Sequence, residues 1–470
     1  MKILGRKKLK TDMILIILGL AWPTMLEQVL NTSAQYIDTA MVGALGTQAT
    51  AAVGSTSTVN WLVGNTILAT SVGFLSYISR ACGAKDKENV KRAGSQVFIV
   101  VAFIGSLLTI LTLSLSTMVP VWMRVDKNIQ GLASTYFFVY YASTLPRAAS
   151  IIFGTVLRAA GSTKTPMKIG LLTNALHVVM NFLLIYPARY IDVFSIHIYI
   201  PGADLGVVGA ALSSSLTFTL GGVLSTIAVL RHPLLSPKGY KFKLDSKILK
   251  PCIKVAYPNI LQRFCTSMGF VVFASMINSI GGVATATHTI ANTVESAFYI
   301  PGNGMQTAAA TLAGNAYGAD DEKRMKDLAS MFIPVEIILM IVSGTALFIF
   351  APNLMTVFSK SEEVIALGST VLRMVALSEP FYGFSIIIEG LMQGVGNTKK
   401  PFWFHVAGMW MVRIVGTYIC TQIFGLGLVS AWTCMIIHNL FLFVLFLICY
   451  INGSWNPLST VRNNRKELAV

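Results

Sequence analysis

The 470-residue chain is 54% hydrophobic and only 12% charged, with a mean hydropathy of +0.66. A soluble domain carries about twice that charged fraction, so composition excludes a soluble globular protein. The net charge of +16 could suggest nucleic acid, but the placement of the basic residues, given below, points to a lipid bilayer instead.

The basic start MKILGRKKLK leads into an apolar run too long for a signal-peptide h-region and without a small-residue cleavage site, so no cleavable leader is expected. Twelve apolar segments follow, at about 13–40, 48–78, 94–121, 131–157, 166–187, 206–230, 252–279, 286–312, 328–357, 364–390, 402–423 and 426–450. Each is long enough to cross a hydrocarbon core of about 30 Å. The reading is an all-α membrane protein with twelve transmembrane helices. The first segment holds Pro23, Glu27 and Asp38. Pro23 removes one helical hydrogen bond and permits a bend. A charge at the bilayer centre costs from about 2.5 to over 10 kcal/mol, so Asp38 must face protein or water and is read as functional. Tyr36 and Met41 flank it as candidate cavity-lining residues, whereas Glu27, nearer the cytoplasmic end, is read as structural.

Further along, the fifth segment carries His177 and Asn181, and RYIDVFSIHIYIPGAD after it reads as an external loop. The seventh carries Arg263 and the eighth Glu295, which either pair with each other or face the cavity. Glu336 lies beside Pro334 in the ninth and is read as packing locally. In the tenth, Glu379 is a candidate contact for cationic substrate, and Glu389 borders a turn. Arg147, Arg373 and Arg413 are candidate partners for these acids. The six cysteines form no CxxC pair and no metal spacing, which fits small buried hydrophobes. No Walker A pattern, zinc spacing or GxSxG elbow is present, so neither ATP-driven work nor an enzyme is expected.

Of the 36 Lys and Arg residues, 28 fall in the N-terminus, the even-to-odd connections and the C-terminus. Arg124, Lys127, Arg189 and Lys360 lie on the other side, and four more lie inside segments. By the positive-inside rule both termini are cytoplasmic. The basic stretch from Arg231 to Lys254 is then a cytoplasmic loop lying on the anionic inner leaflet.

The chain also repeats itself at an offset of 235. AWPTMLEQVL at 21 aligns with AYPNILQRFC at 256, MVGALGTQATAA at 41 with MINSIGGVATAT at 276, and ACGAKD at 81 with AYGADD at 316. LRAAGSTKTP at 157 aligns with LMQGVGNTKKP, where Pro401 matches Pro166. Six helices is an even number, so the repeats share one orientation and are related by an axis along the membrane normal. This predicts an N-terminal lobe, residues 1–235, and a C-terminal lobe, residues 236–470, in two pseudo-symmetric six-helix bundles. Rocking of such lobes about a central cavity is alternating access.

The pattern Pro23, Gln28, Asp38-Thr39 and Val42-Gly43, the loops at 83–86 and 318–321, and the LRAAGSTKTP and MQGVGNTKKP turns resemble the multidrug and toxic compound extrusion (MATE) family over nearly the whole chain. The resemblance implies antiport of organic, often cationic, compounds against inward Na⁺ or H⁺, without a cofactor. It places His177 and Asn181 in the ion site with Asp38, which would also be the ligand for sodium. Members often carry Asn-x-x-x-Asp or Asn-x-x-x-Asn in helix 5, where this chain has HVVMN. The acid that several members carry in helix 7 is missing beside Arg263. The expected partners are small cations or amphiphiles and the lipid bilayer, with no nucleic acid, in a monomer of a prokaryotic plasma membrane. The alternatives are a lipid-linked saccharide flippase of the same superfamily, or a channel. On the 235 offset, Asp38 becomes Phe273, His177 becomes Val412 and Asn181 becomes Gly416, so coupling is expected in the first repeat alone, with H⁺ favoured.

Overall fold

The computed structural model describes residues 2–54, 56–123, 125–193, 196–240 and 242–459, without the side chains of 2–14, 57, 58, 191–193 and 196–198. Arg124 and the basic C-terminal tail, both used in the charge count, lie outside the described residues. Helices run in the order α1 Lys2–Gly43, α2 Thr47–Gly54, α3 Ser57–Gly83, α4 Lys87–Ser114, α5 Met118–Trp122, α6 Lys127–Tyr141, α7 Thr144–Ala159 and α8 Lys164–Leu184. After a hairpin come α9 Gly206–Arg231, α10 Ser246–Asn278, α11 Gly282–Gly318, α12 Glu322–Phe358, α13 Glu362–Ala376, α14 Glu379–Gly394 and α15 Lys399–Ala407. A π-helical stretch Gly408–Ile414, α16 Val415–Tyr418, a second π-helical stretch Ile419–Ile423 and α17 Leu428–Ile451 complete the order.

Among the described residues, eight helices are long and apolar enough to cross a membrane, or nine if the bent pair α13 and α14 is one span. The helices on the first, fourth and eighth expected segments are not in that set. The fourth is broken into α6 and α7, and the eighth, α11, carries the polar run THTIANTVES. The two broken helices fail at equivalent places. Ser143 Oγ bonds the Tyr140 carbonyl at 3.1 Å, and Ser378, 235 residues on, bonds the Val375 carbonyl at 2.8 Å. Pro146 and Pro380 follow, each without an amide hydrogen to donate. The second break bends the chain by 51°.

The stretch read as an external loop is instead an antiparallel hairpin, β1 Pro187–Val193 and β2 Ile196–Ala203, with Tyr190 opposite Tyr199 and an irregularity between Pro187 and Arg189. Its Tyr, Ile and Val content suits an extended backbone, and the Tyr190 and Tyr199 rings lie 5.3 Å apart.

The duplication extends to backbone conformation. Gly46 and Gly281, Lys85 and Asp320, and Gly161 and Gly396 are three pairs 235 residues apart, and all six have positive φ. Lys85 at 58° and Asp320 at 52° hold the left-handed conformation without being glycine, so the turn is set by its surroundings.

The chain forms two compact units. One contains Met1–Gln28, Leu75–Asp86 and Pro251–Val470; the other contains Val29–Phe74 and Lys87–Lys250. In the first unit, the ends of α3 and α11 pack by backbone. A Cβ on Gly83 would run into the backbone of Asn315, and one on Gly318 into that of Arg80. Thr24 Oγ1, next to Pro23, bonds the Gly304 carbonyl at 3.2 Å as well as the Ala21 carbonyl in its own helix at 2.7 Å. The core of this unit is built around Phe332, Ile387, Leu391 and Phe446, and around Phe273, Leu347 and Trp432. The core of the second unit gathers Met41, Val42, Tyr136 and Ile185. Phe103 and Ile110 on α4, and Val342 and Ile349 on α12, are exposed as lipid-facing side chains should be.

Candidate functional site

In the second unit, Asp38 meets two side chains from α8. Asn181 Nδ2 donates to Asp38 Oδ1 at 2.9 Å, and His177 Nε2 lies 3.7 Å from the same oxygen. The spacing of four places His177 and Asn181 on one face of α8, one turn apart. The same imidazole nitrogen is 3.1 Å from Ser214 Oγ on α9, and Ser213 Oγ donates to the His177 carbonyl at 3.1 Å. Asn181 is fully buried, and its Oδ1 has no hydrogen-bond partner among the described residues. The Asp38 and His177 side chains retain 19% and 14% exposure. The cluster thus holds a partly buried carboxylate against a fully buried amide.

A second polar group lies in the same unit. Arg147 Nη1 and Tyr140 Oη both donate to Asn60 Oδ1, at 2.6 and 3.2 Å. The guanidinium stacks 5.0 Å from the Phe218 ring centroid and 5.8 Å from that of Tyr140. Arg147 is thus held by neutral groups. Tyr36 is half-buried, and Met41 lies in the core, where its carbonyl accepts the Tyr186 hydroxyl at 2.9 Å.

The first unit carries the other acids. A cavity of about 100 Å³ is lined by Glu295, Glu379, Arg413, Tyr299 and Tyr382, with Phe270, Asn292, Met435 and Asn439 completing its wall. Glu295 and Glu379 are 7% and 3% exposed. Arg413 comes from the π-helical stretch Gly408–Ile414, a local widening that often marks functional positions. Its guanidinium lies 4.8 Å from the Phe270 centroid and 4.1 Å from that of Phe273, in electrostatic reach of Glu295. Glu336 is fully buried, neither of its carboxyl oxygens has a hydrogen-bond partner among the described residues, and Gly302 makes room for it. Glu389 sits in a separate network. It accepts from Gln262 at 2.9 Å and Gln393 at 3.2 Å, with His405 Nε2 at 3.2 Å. Arg263 donates to Asn259 at 3.2 Å and lies in electrostatic reach of Glu389. Glu295 therefore faces Arg413 in the cavity, and Arg263 belongs to the Glu389 network rather than to the cavity wall.

The MatE family model matches residues 23–183 and again 258–419, two spans that begin 235 residues apart and cover more than half the chain. The chain belongs to the MATE family. It is 27% identical over 458 residues to a probable multidrug resistance protein NorM of Thermotoga maritima, covering 96% of this chain and 95% of that one. Two solved MATE structures, one titled as the straight and one as the bent conformation, are each 21% identical. They cover 95% and 96% of this chain and 96% of their own, with a TM-score of 0.84 in both cases. The fold is that of a MATE transporter, with twelve membrane helices in two six-helix bundles. This chain is a membrane transporter of a multidrug family and not an enzyme, and the match favours an exporter over a saccharide flippase or a channel.

Within this MATE transporter, Asp38, His177 and Asn181 come together, as do Glu295 and Glu379. Sequence reasoning missed Ser214, Tyr140, Tyr299 and Tyr382. A hydroxyl in an apolar helix costs little and is common there, so it gives no signal. The role of Asn60 had one clue, since it is the repeat counterpart of Glu295.

Proposed function

We propose that the chain is a proton-coupled antiporter that exports cationic or amphiphilic organic compounds by alternating access, in the plasma membrane of a prokaryote. The observation that carries this reading is the Asp38 carboxylate held by Asn181 and His177. Ionised, Asp38 accepts from the Asn181 amide. Protonated, it can donate to the amide oxygen, which has no other partner among the described residues, after a simple amide turn. The cluster thus offers hydrogen bonds to both states of one carboxyl. A sodium ion would prefer several oxygen ligands. Among the described residues Asp38 is the one carboxylate of this cluster, and the group beside it is the His177 nitrogen rather than a further acid.

Protonation cancels the charge of Asp38, and bending of α1 at Pro23 is the movement we assign to it. The straight and bent conformations named for the solved relatives support a movement of this kind. Residues 1–235 and 236–470 act as the two halves that rock. The cavity beside Glu295 and Glu379 is too small for a drug, so these acids touch the cationic end of the cargo only. Charge asymmetry supports cytoplasmic termini. A cysteine placed at the exposed Lys238 in a cysteine-free background should resist an impermeant thiol reagent in intact cells, and rapid labelling would reverse the orientation.

The functional test is uptake into proteoliposomes with the gradients imposed separately. A pH gradient should drive transport of a fluorescent organic cation, and a sodium gradient at constant pH should not. The opposite result would assign sodium as the coupling ion and sink the proton reading.

A further inference from the structure

We infer that the pocket between Tyr240, the linker segment Lys243–Lys247 and the start of α4 binds the headgroup of an anionic phospholipid. The pocket has a volume of about 350 Å³ and lies wholly within the second unit. Lys243 and Lys247 supply two cations to its wall, with the Tyr240 side chain and Arg92 beside them; Arg92 Nη2 is paired with Glu88 Oε1 at 2.6 Å. Asp245 is the one acid on the wall among the described residues. Its Oδ1 accepts the Lys247 backbone amide at 2.9 Å, so the carboxylate is engaged at the start of α10.

The linker is fixed to the helix rather than loosely draped on it. Gln96, only 2% exposed, donates from Nε2 to the Lys243 carbonyl at 2.8 Å and accepts the Asp245 amide on Oε1 at 3.0 Å. One buried side chain thereby holds both sides of the pocket rim. Upstream, a Cβ on Gly94 would run into the Leu235 carbonyl, so helix and linker backbones are in direct contact.

The level of the pocket identifies the ligand. Along α4 the sequence KENVKRAGSQ is polar and VFIVVAFIGSLL is apolar, and the change falls at Gln96–Val97. That boundary is where the hydrocarbon core meets the headgroups. Phe242 and Leu244, between the two lysines and next to them, are 64% and 68% exposed. The Phe242 ring meets Phe98, the second residue of the apolar run, edge-on at 6.2 Å. Exposed apolar side chains beside clustered cations at this depth suit a lipid, whose phosphate takes the cations while its upper acyl chain covers the ring. A soluble phosphate would make no use of Phe242 or Leu244. The leaflet that supplies the lipid follows from the orientation proposed above. The assay below is blind to sidedness, so its failure would not be a failure of that orientation.

The test is thermal unfolding of the full-length protein in a nonionic micelle, titrated with phosphatidylglycerol, phosphatidylcholine or inorganic phosphate. Each midpoint of stabilisation is read against the lipid-free unfolding temperature of the same variant, so a destabilised variant remains informative. Phosphatidylglycerol should stabilise the wild type and phosphatidylcholine should not. Lys243→Gln with Lys247→Gln should shift the phosphatidylglycerol midpoint by roughly twentyfold, since each charge near an anionic surface contributes a factor of about five. Phe242→Ser should weaken phosphatidylglycerol binding as well. The pair Lys399→Gln and Lys400→Gln, two exposed cations elsewhere, should leave the midpoint unchanged. Equal midpoints for the wild type and the Lys243/Lys247 variant would overturn the site, as would an equal shift in the Lys399/Lys400 pair. Displacement of the lipid by millimolar inorganic phosphate, with Phe242→Ser silent, would make it a soluble-anion site and overturn the lipid assignment.

Discussion

The two repeats place their buried charges at different register positions. Position 38 of the first is a carboxylate held by Asn181 and His177. Its counterpart in the second is Phe273, and the Arg413 guanidinium lies 4.1 Å from that ring. Position 60 is an Asn that accepts from Arg147 and Tyr140, whereas its counterpart, Glu295, faces Arg413. The first repeat draws its arginine from α7. In the second, Tyr382 occupies the corresponding place, and the cation comes from the π-helical stretch instead. The turns did not diverge in this way, for the positive-φ positions and the serine at each helix break recur in register. Backbone conformation fixes how the helices connect, so it resists change. A buried charge needs only some partner, and that partner can move to another helix.

The largest structural effect should come from separating the charges of the second repeat. Arg413→Met leaves Glu295 buried without its cation and should cost about 3–5 kcal/mol, measured by denaturant unfolding in micelles. Adding Glu295→Gln should restore most of that. Unchanged stability in the single variant would mean the two charges are not coupled, and the contrast between the repeats would lose its main support.

A smaller loss is expected where Glu336 is accommodated. A Cβ on Gly302 would lie 2.5 Å from Glu336 Oε1 and 2.8 Å from the Met340 methyl. Gly302→Ala should therefore cost about 1–3 kcal/mol by overpacking, and Glu336→Ala in the same chain should relieve part of it. Additive losses in the double variant would show that the glycine serves some other purpose. The smallest effect belongs to the first repeat. Ser214→Ala removes the hydroxyl 3.1 Å from His177 Nε2 and should cost about 0.5–1.5 kcal/mol, with proton-driven transport retained. Loss of transport at full stability would make Ser214 part of the proton path.

Much of this was legible in the sequence because it depends on local chemistry. Apolar segment lengths foretold the helices, the repeated GAKD and GADD turns foretold the duplication, and Asp38 stood out by cost alone. Partner choice was not legible. Asn181 meets Asp38 across 143 residues of chain, and nothing local tells which helix face will turn to which. Arg413 lies in the first of two π-helical stretches, Gly408–Ile414 and Ile419–Ile423, that shift the helical register along this segment. No proline or glycine pattern there differs enough from an ordinary membrane helix to reveal them. The connection at 187–203 reads as a loop by its place between two membrane segments, although IHIYI alternates with the period of two that marks a strand. Of the two readings open for Arg263 and Glu295, pairing with each other or facing the cavity, neither named the partner Arg263 meets, since it donates to Asn259 and lies in electrostatic reach of Glu389.

The central claim is that coupling resides in the first repeat alone. The most direct measurement is substrate flux in proteoliposomes under an imposed pH gradient, comparing Asp38→Asn with Glu295→Gln and Glu379→Gln at equal protein and saturating substrate. The account predicts that Asp38→Asn folds, binds substrate and shows no proton-driven flux, while both glutamate variants keep it, with weaker substrate affinity at most. Proton-driven flux that survives Asp38→Asn and vanishes in Glu295→Gln or Glu379→Gln would place coupling in the second repeat and contradict the account.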